Sequence, residues 1–457
     1  VAHAGLGEVY LEKNEPNKVM AHFRKSIKLN PSESTYHFKL AKAYAAMKMF
    51  QDAKTAFQTA IDIDSSNYHA FYRLGALQIE GGNHAEGMKN IEMAVKLNPN
   101  FYEPHKALSQ LYFKQENYPL ALKEIREALR LNKDNPELNL FLSNLLLKIK
   151  REDEGVEELK KVVKRFPKNV EANFRLADWY DQKGMTNESL KYFQTVENLD
   201  PENPVVHGHL GKIYYDKEEM EKARTSLQKA VKLDNKDGQS FFYLGKLLSK
   251  EEEIDEAQKA LERAASLTEG NADAHYELGR ILLKKELADE AVGELQKSAK
   301  LEPKNAEYLR MLGNAFLEQK KMGKAVDTFK KASLLEPQNG EILFGLCNAY
   351  SKRRWFKAAI GNCEKAIELI PKHYDLMNRL AWLYAKKKLN LDKGLELSQA
   401  TLAAFPDRAE YIDTLSELYY VRGEVDQAVE QIQKAIELDP DEPYYKQQLW
   451  KFKNVKS

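Results

Sequence analysis

Residues 306–339 read AEYLRMLGNAFLEQKKMGKAVDTFKKASLLEPQN, and the pattern of this segment returns along the whole chain. Its Leu312 belongs to a series of leucines that lie 34 residues apart eleven times and then 35 residues apart once. The series comprises Leu6, Leu40, Leu74, Leu108, Leu142, Leu176, Leu210, Leu244, Leu278, Leu312, Leu346, Leu380 and Leu415. A small residue follows each of these leucines, as Gly313 follows Leu312. Tandem units of 34 residues therefore account for the length of the chain, 457 residues.

Each unit carries the pattern of two amphipathic helices. A large side chain, most often Tyr, follows the leucine at four residues, so both lie on one face of a first helix. A small, a bulky and a second small residue, as at Ala325, Phe329 and Ala332, share one face of a second helix. Nine of the thirteen units close with proline, as at Pro337, which cannot continue a helix. One unit buries too little apolar surface alone, so neighbouring units are predicted to stack.

This spacing of Leu-Gly, Tyr, Ala, Phe, Ala and Pro resembles that of the tetratricopeptide repeat family. The resemblance implies an all-α, right-handed superhelical solenoid of helix–turn–helix units that ends in a C-terminal capping helix. Thirteen units are predicted, at residues 1–33, 34–67, 68–101, 102–135, 136–169, 170–203, 204–237, 238–271, 272–305, 306–339, 340–373, 374–408 and 409–442. Residues 443–457 are predicted to form the capping helix and a basic tail. The twelfth unit has one extra residue in its turn and Ser398 at a bulky position, so we expect a looser junction there.

Charge and hydropathy argue against two classes of protein. The 70 basic and 69 acidic residues leave a net charge of +1, whereas generic nucleic-acid and anionic-membrane binders carry a basic excess. No apolar stretch approaches the ~18–20 residues of a membrane span. Residues 1–3 begin no signal segment and no Met starts the chain, so we expect part of the protein to lie upstream. The cytoplasm is the favoured compartment, and a bacterial periplasm stays open if an upstream signal was removed.

Sequence patterns typical of catalysis and metal binding do not occur. C-x-x-C, H-E-x-x-H, P-loop and nucleophile-elbow motifs are all absent from the sequence. Five histidines share the repeat position three residues before the leucine, where burial at a helix seam is expected: His3, His37, His105, His207 and His275. His207 and His209 point in different directions on a helix and are not expected to bind a metal. We therefore expect no cofactor and no enzymatic activity.

The two cysteines, Cys347 and Cys363, fall on core positions of the eleventh unit. Buried free thiols that act as small hydrophobic groups are the favoured interpretation. A disulfide across the helix pair stays open.

The resemblance also implies that the first helices line a concave groove in which peptides or partner domains bind. The concave positions are those one and two residues before the repeat leucine, two after it, and five and six after it. The predicted protein-binding residues are Lys39, Lys42, Phe38, Tyr72, Arg73, Lys106, Lys212, Lys246, Arg280, Tyr243, Tyr276, Arg310, Asn314, Asn348 and Arg379. The first six of these are expected to make the principal contacts, because local positive charge favours acidic peptides. The alternative for each group of concave residues is a solvated helix face that binds no partner.

Two binding devices of the family are matched only in part. Arg310, Asn314 and Arg379 fit the clamp that holds a C-terminal carboxylate in chaperone-binding members, but Gly345 and Asp375 stand where it requires Asn and Lys. The asparagine ladder of the O-linked N-acetylglucosaminyl transferase superhelix is reduced to Asn314 and Asn348, followed by Trp382. Neither specificity is transferred to this chain.

The favoured function is a non-catalytic scaffold or adaptor that binds other proteins, either acidic peptides or multi-protein complexes. Self-association is a further prediction, because Asp413 and Glu417 at one end complement the basic, uncapped N-terminal end. A substrate-recruiting region of a larger enzyme stays open. An RNA-binding helical repeat is least favoured, because it needs matched polar pairs in every unit.

Overall fold

The computed structural model describes residues 2–454, and all regular secondary structure in this range is α-helix. Val1 of the predicted first unit and residues 455–457 of the predicted basic tail lie outside the described residues. The chain forms two compact bodies, an N-terminal body of residues Val1–Pro201 and a C-terminal body of residues Glu202–Ser457. Both consist of paired antiparallel helices, which confirms the predicted all-α helical-repeat fold.

The N-terminal body contains twelve helices among its described residues. They are α1 (Ala2–Glu12), α2 (Pro16–Leu29), α3 (Ser34–Ala46), α4 (Phe50–Ile63), α5 (Tyr68–Glu80), α6 (His84–Leu97), α7 (Tyr102–Lys114), α8 (Tyr118–Leu131), α9 (Pro136–Lys148), α10 (Glu152–Arg165), α11 (Val170–Gln182) and α12 (Thr186–Leu199).

The C-terminal body contains fifteen helices in the part that the structure describes. They are α13 (Pro204–Asp216), α14 (Met220–Leu233), α15 (Gly238–Lys250), α16 (Ile254–Leu267), α17 (Ala272–Lys284), α18 (Ala288–Leu301), α19 (Ala306–Glu318), α20 (Met322–Leu335), α21 (Gly340–Lys352), α22 (Phe356–Leu369), α23 (Tyr374–Lys387), α24 (Leu391–Ala404), α25 (Ala409–Val421), α26 (Val425–Leu438) and α27 (Pro443–Asn454).

Close helix contact explains two glycines beside repeat leucines, Gly313 after Leu312 and Gly345 before Leu346. Phe329 of α20 is fully buried, and its ring lies between α19 and α21. A Cβ atom added to Gly313 of α19 would lie 2.7 Å from Cζ of this ring, and one added to Gly345 of α21 would lie 2.6 Å from it. Both distances are shorter than real carbon–carbon contacts, so only glycine lets the two helices approach the ring this closely.

The turn inside each helix pair reverses the chain through a left-handed residue. After α19, Lys320 has φ = 57°, its N–H donates to the Leu317 carbonyl at 3.0 Å, and the Lys321 N–H donates to the Phe316 carbonyl at 2.8 Å. These two bonds form a Schellman motif, which satisfies carbonyls that the helix end leaves free. Glycine holds the left-handed position at Gly82, Gly184 and Gly423, whereas other turns use Lys, Glu, Arg or Asn.

An asparagine N-cap begins the first helix of seven of the pairs in the described residues. The Asn305 side chain accepts hydrogen bonds from the backbone N–H groups of Glu307 and Tyr308, at 3.2 and 3.3 Å. Asparagine suits this position because its short side chain reaches the N–H groups that the first helical turn leaves unpaired. The same cap occurs at Asn67, Asn135, Asn169, Asn203, Asn271 and Asn339.

The extra residue of the twelfth predicted unit lies between α23 and α24. Lys388 and Asn390 both have positive φ, 50° and 44°. Ala381 of α23 shares a buried cluster with Leu418 of α25, so these two first helices contact each other directly. Ser398 of α24 is fully buried, and its hydroxyl has no hydrogen-bond partner among the described residues.

The last helix, α27, closes the apolar end of the array, as predicted. Tyr445 and Phe452 are buried in one cluster with Ile412 of α25 and Ile432 of α26. The rings of Phe452 and Tyr420 stack with their centroids 4.6 Å apart.

The interpretation of Cys347 and Cys363 as free thiols is wrong. The two residues form a disulfide between α21 and α22, with their Cα atoms 5.4 Å apart. They occupy the positions that Gly313 and Phe329 occupy in the preceding pair, where the two helices are in direct contact. Opposed contact positions bring the sulfur atoms together, and both side chains are fully buried.

Candidate functional site

The N-terminal basic patch comprises Lys39, Lys42, Arg73 and Lys106 with the aromatic residues Phe38 and Tyr72. Two of its charges are paired within the fold. Lys39 of α3 forms an ion pair with Glu8 of α1, and Lys106 of α7 lies 2.6 Å from a carboxylate oxygen of Glu137 of α9. The positive field predicted from the sequence is therefore reduced at these two positions.

The remaining two cations of the patch share a cavity. Lys42 and Arg73 line a concavity of about 310 Å³, and neither has a carboxylate within 4.0 Å among the described residues. Ala76 and Leu77 supply an apolar wall, and Glu80 contributes one carboxylate to the lining. Two unpaired cations over an apolar wall suit a segment that carries both a carboxylate and an apolar side chain.

The two aromatic residues of the patch pack against neighbouring helices. The Phe38 ring lies 5.6 Å from that of Phe57, and the Tyr72 ring contacts Phe101 edge-on at 5.4 Å. Burial raises the pKa of Tyr72, although Arg73 acts in the opposite direction. Both residues are half-buried, so they contribute to the packing between helices.

A second group of predicted residues lies on α13, α15 and α17. Lys246 Nζ lies 5.3 Å from the centroids of Tyr215 and Phe242 and 5.8 Å from that of Tyr243. No carboxylate lies within ion-pair distance of Lys246 among the described residues. Lys212 lines another concavity, of about 460 Å³. The structure thus brings Lys246 and Tyr243 together and leaves Lys212 beside a different set of residues.

Tyr276, Arg280 and Arg310 belong to a network centred on Glu307. The Tyr276 hydroxyl donates to Glu307 at 2.6 Å, and Arg310 donates to the same carboxylate at 2.7 Å. Burial opposes ionisation of Glu307, but these hydrogen bonds outweigh it and hold its pKa below the usual range. Burial and the bond to Glu307 raise the pKa of Tyr276. Arg280 lies over the Tyr276 ring at 5.8 Å and pairs with Glu277.

The carboxylate clamp is not assembled. Arg310 is engaged by Glu307, and Gly345 leaves no room for a side chain because the Phe329 ring packs on it. Asp375 accepts hydrogen bonds from Tyr411 at 2.7 Å and lies 2.9 Å from Arg408.

The other predicted groove residues on these helices make few polar contacts. Asn314 donates to the Met311 sulfur at 3.8 Å, and the buried side-chain oxygen of Asn348 has no partner in the described residues. Arg379 lies over the Trp382 ring at 5.7 Å. Burial lowers the pKa of Arg379, and the charges of Glu410 and Asp375 oppose that effect.

The expectation that Asp413 and Glu417 form an exposed acidic end is wrong, because α27 covers them. Asp413 is 8% and Glu417 4% exposed. Lys386 of α23 and Lys451 of α27 lie 3.0 and 2.7 Å from the Glu417 carboxylate. Burial opposes the charge of Glu417, but these lysines hold its pKa below the usual range. The predicted head-to-tail contact therefore lacks its acidic surface.

Three of the five repeat-position histidines are buried, and two of these three contact a carboxylate. His105 Nδ1 lies 2.6 Å from Glu124, and His275 Nδ1 lies 2.6 Å from Glu294. The hydrogen bond to Glu124 raises the pKa of His105 although burial opposes the charge. Within residues 2–454, no group of three or more His, Cys, Asp or Glu side chains has the arrangement of a metal site.

Sequence reasoning missed the acidic partners of the groove, although a spacing of 31 residues marks them. Lys39 and Glu8, Lys106 and Glu137, and Lys386 and Glu417 are each 31 positions apart. This spacing joins facing positions of successive first helices.

None of the described helices is both long and apolar enough to cross a membrane.

Models of the tetratricopeptide repeat match most of the chain, at residues 2–33, 38–100, 112–173, 170–203, 205–237, 248–315, 306–339 and 409–442. The chain belongs to the tetratricopeptide repeat family. No match is found among curated proteins.

Several solved structures are similar to this tetratricopeptide repeat (TPR) chain. The APC/C hetero-tetramer Cut9-Hcn1 is 13% identical with a TM-score of 0.45, covering 99% of this chain and 96% of the other. A tetratricopeptide repeat protein from Parabacteroides merdae is 15% identical with a TM-score of 0.42, covering 53% and 96%. The MamA protein is 28% identical with a TM-score of 0.33, covering 37% and 92%.

Proposed function

We propose that this TPR chain is a non-catalytic scaffold that binds segments of partner proteins on its first helices. The principal contact is the cavity lined by Lys42 and Arg73, and the segment it binds carries acidic and apolar side chains. The observation that carries the proposal is the presence of two unpaired cations on one apolar-walled cavity of about 310 Å³.

The physical basis is a difference between the four cations of the N-terminal basic patch. Lys39 and Lys106 already have carboxylate partners, so a ligand must displace those partners before it gains an ion pair. Lys42 and Arg73 have none, so a ligand carboxylate adds an interaction without breaking one. The apolar wall of Ala76 and Leu77 excludes water from a side chain placed against it, which strengthens the adjacent ion pair.

Lys246 of the C-terminal body supports the same mode of binding. Its ammonium group lies against three aromatic rings and has no carboxylate partner in the described residues. A partner carboxylate that approaches Lys246 would meet aromatic surface beside it, and buried aromatic residues are typical anchors of protein interfaces.

Fluorescence polarisation with labelled nonapeptides tests the proposal. One peptide alternates aspartate with leucine and the other alternates lysine with leucine. We expect the full chain to bind the acidic peptide, and the double substitution Lys42→Glu and Arg73→Glu to weaken that binding at least about tenfold, as expected for lost charged hydrogen bonds. Raising the salt concentration from about 50 to about 300 mM should weaken it as well.

The matched control is the double substitution Lys89→Glu and Lys96→Glu on α6. It makes the same change of charge on exposed residues outside the cavity. Equal weakening by the two double variants would show that net charge alone governs binding and would overturn the proposed site. Binding of the lysine–leucine peptide with the affinity of the acidic one would overturn it too.

A further inference from the structure

Helices α23, α25 and α27 line an open, polar cavity of about 350 Å³ at the C-terminal end of the C-terminal body. Its wall includes Asn378 and Trp382 of α23, Glu410 and Asp413 of α25, and Glu442 beside the start of α27. The cavity adjoins concave positions of the last two predicted units, and the capping helix forms one side of it.

Two hydrogen-bond acceptors on this wall have no partner among the described residues. They are Oδ1 of Asp413 and Oδ1 of Asn378, and both atoms are buried. The two nearby lysines, Lys386 and Lys451, donate to Glu417 instead. A buried acceptor without a donor is costly, so this wall favours a ligand that donates several hydrogen bonds.

The charges on the wall favour a cation. Three carboxyl groups line the cavity, those of Glu410, Asp413 and Glu442, against one guanidinium group, that of Arg379. Arg379 lies over the Trp382 ring, and the structure shows no ion pair between it and Asp413. Asp413 is therefore one of three carboxyl residues on a wall with a single guanidinium group, although Glu410 also lies 3.7 Å from Arg408.

We propose that this cavity binds the ammonium group of a lysine side chain presented by a partner protein. An ammonium group has three donors and no acceptor, which suits a wall that carries unpartnered acceptors and several carboxyl groups. The lysine methylenes would pack against the Trp382 and Tyr444 rings that line the same cavity. The proposal rests on the proposed function, because the lysine belongs to a protein held by the groove.

Nuclear magnetic resonance of the tryptophan indoles tests this proposal on the full chain. The sequence contains four tryptophans, so their ¹⁵N-labelled indole signals are few, and the substitution Trp382→Phe assigns the reporter. The probe is N-acetyl-lysine N-methylamide. We expect the probe to shift the Trp382 indole signal in a saturable way. The analogue whose side-chain amine is acetylated, and therefore uncharged, should leave the signal in place.

The key variant is Asp413→Asn, which keeps the shape of a buried residue whose Oδ1 atom has no hydrogen-bond partner among the described residues. We expect this substitution to weaken binding of the probe at least about tenfold, because the charged hydrogen bond is removed. Asp426→Asn on the exposed surface of α26 is the matched control and should leave binding unchanged.

The pH dependence provides a second readout. Burial raises the pKa of Asp413 to about 7, and the charges of Glu417 and Glu410 add to this effect while those of Lys386 and Lys451 oppose it. The ammonium group binds the ionised carboxyl, so the affinity for the probe should rise between about pH 6 and about pH 8. The Asp413→Asn variant should show no such rise.

Three outcomes would overturn the proposal. They are no saturable shift of the Trp382 signal, an equal shift with the acetylated compound, or equal binding by the Asp413→Asn variant. The test is independent of the proposed function, since Lys42 and Arg73 do not line this cavity. If the acidic peptide fails to bind while the lysine probe still shifts the Trp382 signal, only the proposed function fails. If the peptide binds and the probe causes no shift, only the lysine site fails.

Discussion

Lys39 and Lys42 lie three residues apart on α3, yet their surroundings differ. Lys39 meets Glu8 of the preceding first helix, whereas Lys42 points towards a cavity with an apolar wall. A groove lysine that already has a carboxylate partner contributes little to binding a ligand carboxylate. The ligand must displace the existing partner, and the side chains of an exposed ion pair stay hydrated. At the residue scale, the useful property of a groove cation is therefore the absence of an internal partner.

His105 shows how a single residue makes a helix pair sensitive to pH. Its Nδ1 atom donates to Glu124, and its Nε2 atom lies 3.2 Å from the Pro99 carbonyl, so both nitrogen atoms have acceptors, as an imidazolium ion requires. The hydrogen bond to Glu124 raises the pKa of His105 above its ordinary value. The folded state therefore holds this proton more tightly than the unfolded state does.

We predict that the pair α7–α8 is more stable in mildly acidic than in alkaline solution. The stabilisation is complete below the ordinary histidine pKa of about 6.5 and is lost as the pH rises through the raised value. Amide hydrogen exchange in α7 and α8 at about pH 6 and about pH 8.5 measures it, after correction for the intrinsic exchange rate.

The substitution His105→Gln should remove this difference, because glutamine does not titrate. His37→Gln is the control, since His37 holds the same repeat position but contacts the Pro31 carbonyl and no carboxylate. An unchanged pH dependence in the His105→Gln variant would contradict the prediction.

The turns inside the helix pairs are the elements in which local strain is concentrated. Most contain a non-glycine residue with positive φ, such as Lys320 at 57°. This conformation costs an L-residue about 1–2 kcal/mol, and the Schellman hydrogen bonds and the packing of both flanking helices maintain it.

We predict that Lys320→Gly increases the free energy of unfolding by up to about 1 kcal/mol, since the relief of strain exceeds the added chain entropy. The reverse change, Gly423→Ala, should decrease it by about 1 kcal/mol or more because Gly423 has φ = 84°. Urea titrations monitored by circular dichroism measure both. A decrease for Lys320→Gly would show that the lysine side chain stabilises its turn by other contacts.

The disulfide ties two helices of a single pair, α21 and α22. It joins cysteines 16 positions apart, and a closed loop of about 15 residues is worth about 3 kcal/mol through the entropy of the unfolded chain. We predict that reduction of the disulfide lowers the free energy of unfolding of this helix pair by about 3 kcal/mol and leaves distant pairs unchanged. Hydrogen exchange with and without dithiothreitol measures the effect. Thiol labelling of the unreduced chain in denaturant would contradict the disulfide itself.

At the scale of the whole molecule, the main contacts of each described helix within its body are with helices one or two positions away in sequence. Stability is then a sum of contributions from units and from interfaces between neighbours, without one central core. Local weakening in such an array does not have to unfold the remainder.

We predict that Leu244→Ala produces more than one unfolding transition. Leu244 is 8% exposed and packs in one cluster with Leu261 and Leu278, so truncation should cost about 2–5 kcal/mol. Because only neighbouring helices lose contacts, the flanking regions should unfold separately. Differential scanning calorimetry measures this, and a single transition with an unchanged midpoint would contradict it.

The periodicity of the sequence was sufficient to predict the helix pairs, the family and the burial of every repeat leucine except Leu6, which is 45% exposed. These features depend on residues close together in the chain, since a repeat at 34 positions and a helical face at three and four positions are both local. The closure of the last pair by Tyr445 and Phe452 was predictable for the same reason, because an exposed apolar end needs a cover.

The partners of the groove residues depended on tertiary structure. Whether Lys39 is free or paired is decided by Glu8, and whether Glu417 is exposed is decided by Lys451 of the capping helix. The bond between Cys347 and Cys363 likewise required the facing register of two helices. Ion pairs and disulfides form over a few ångströms between side chains of different helices, and a one-dimensional pattern does not contain those distances.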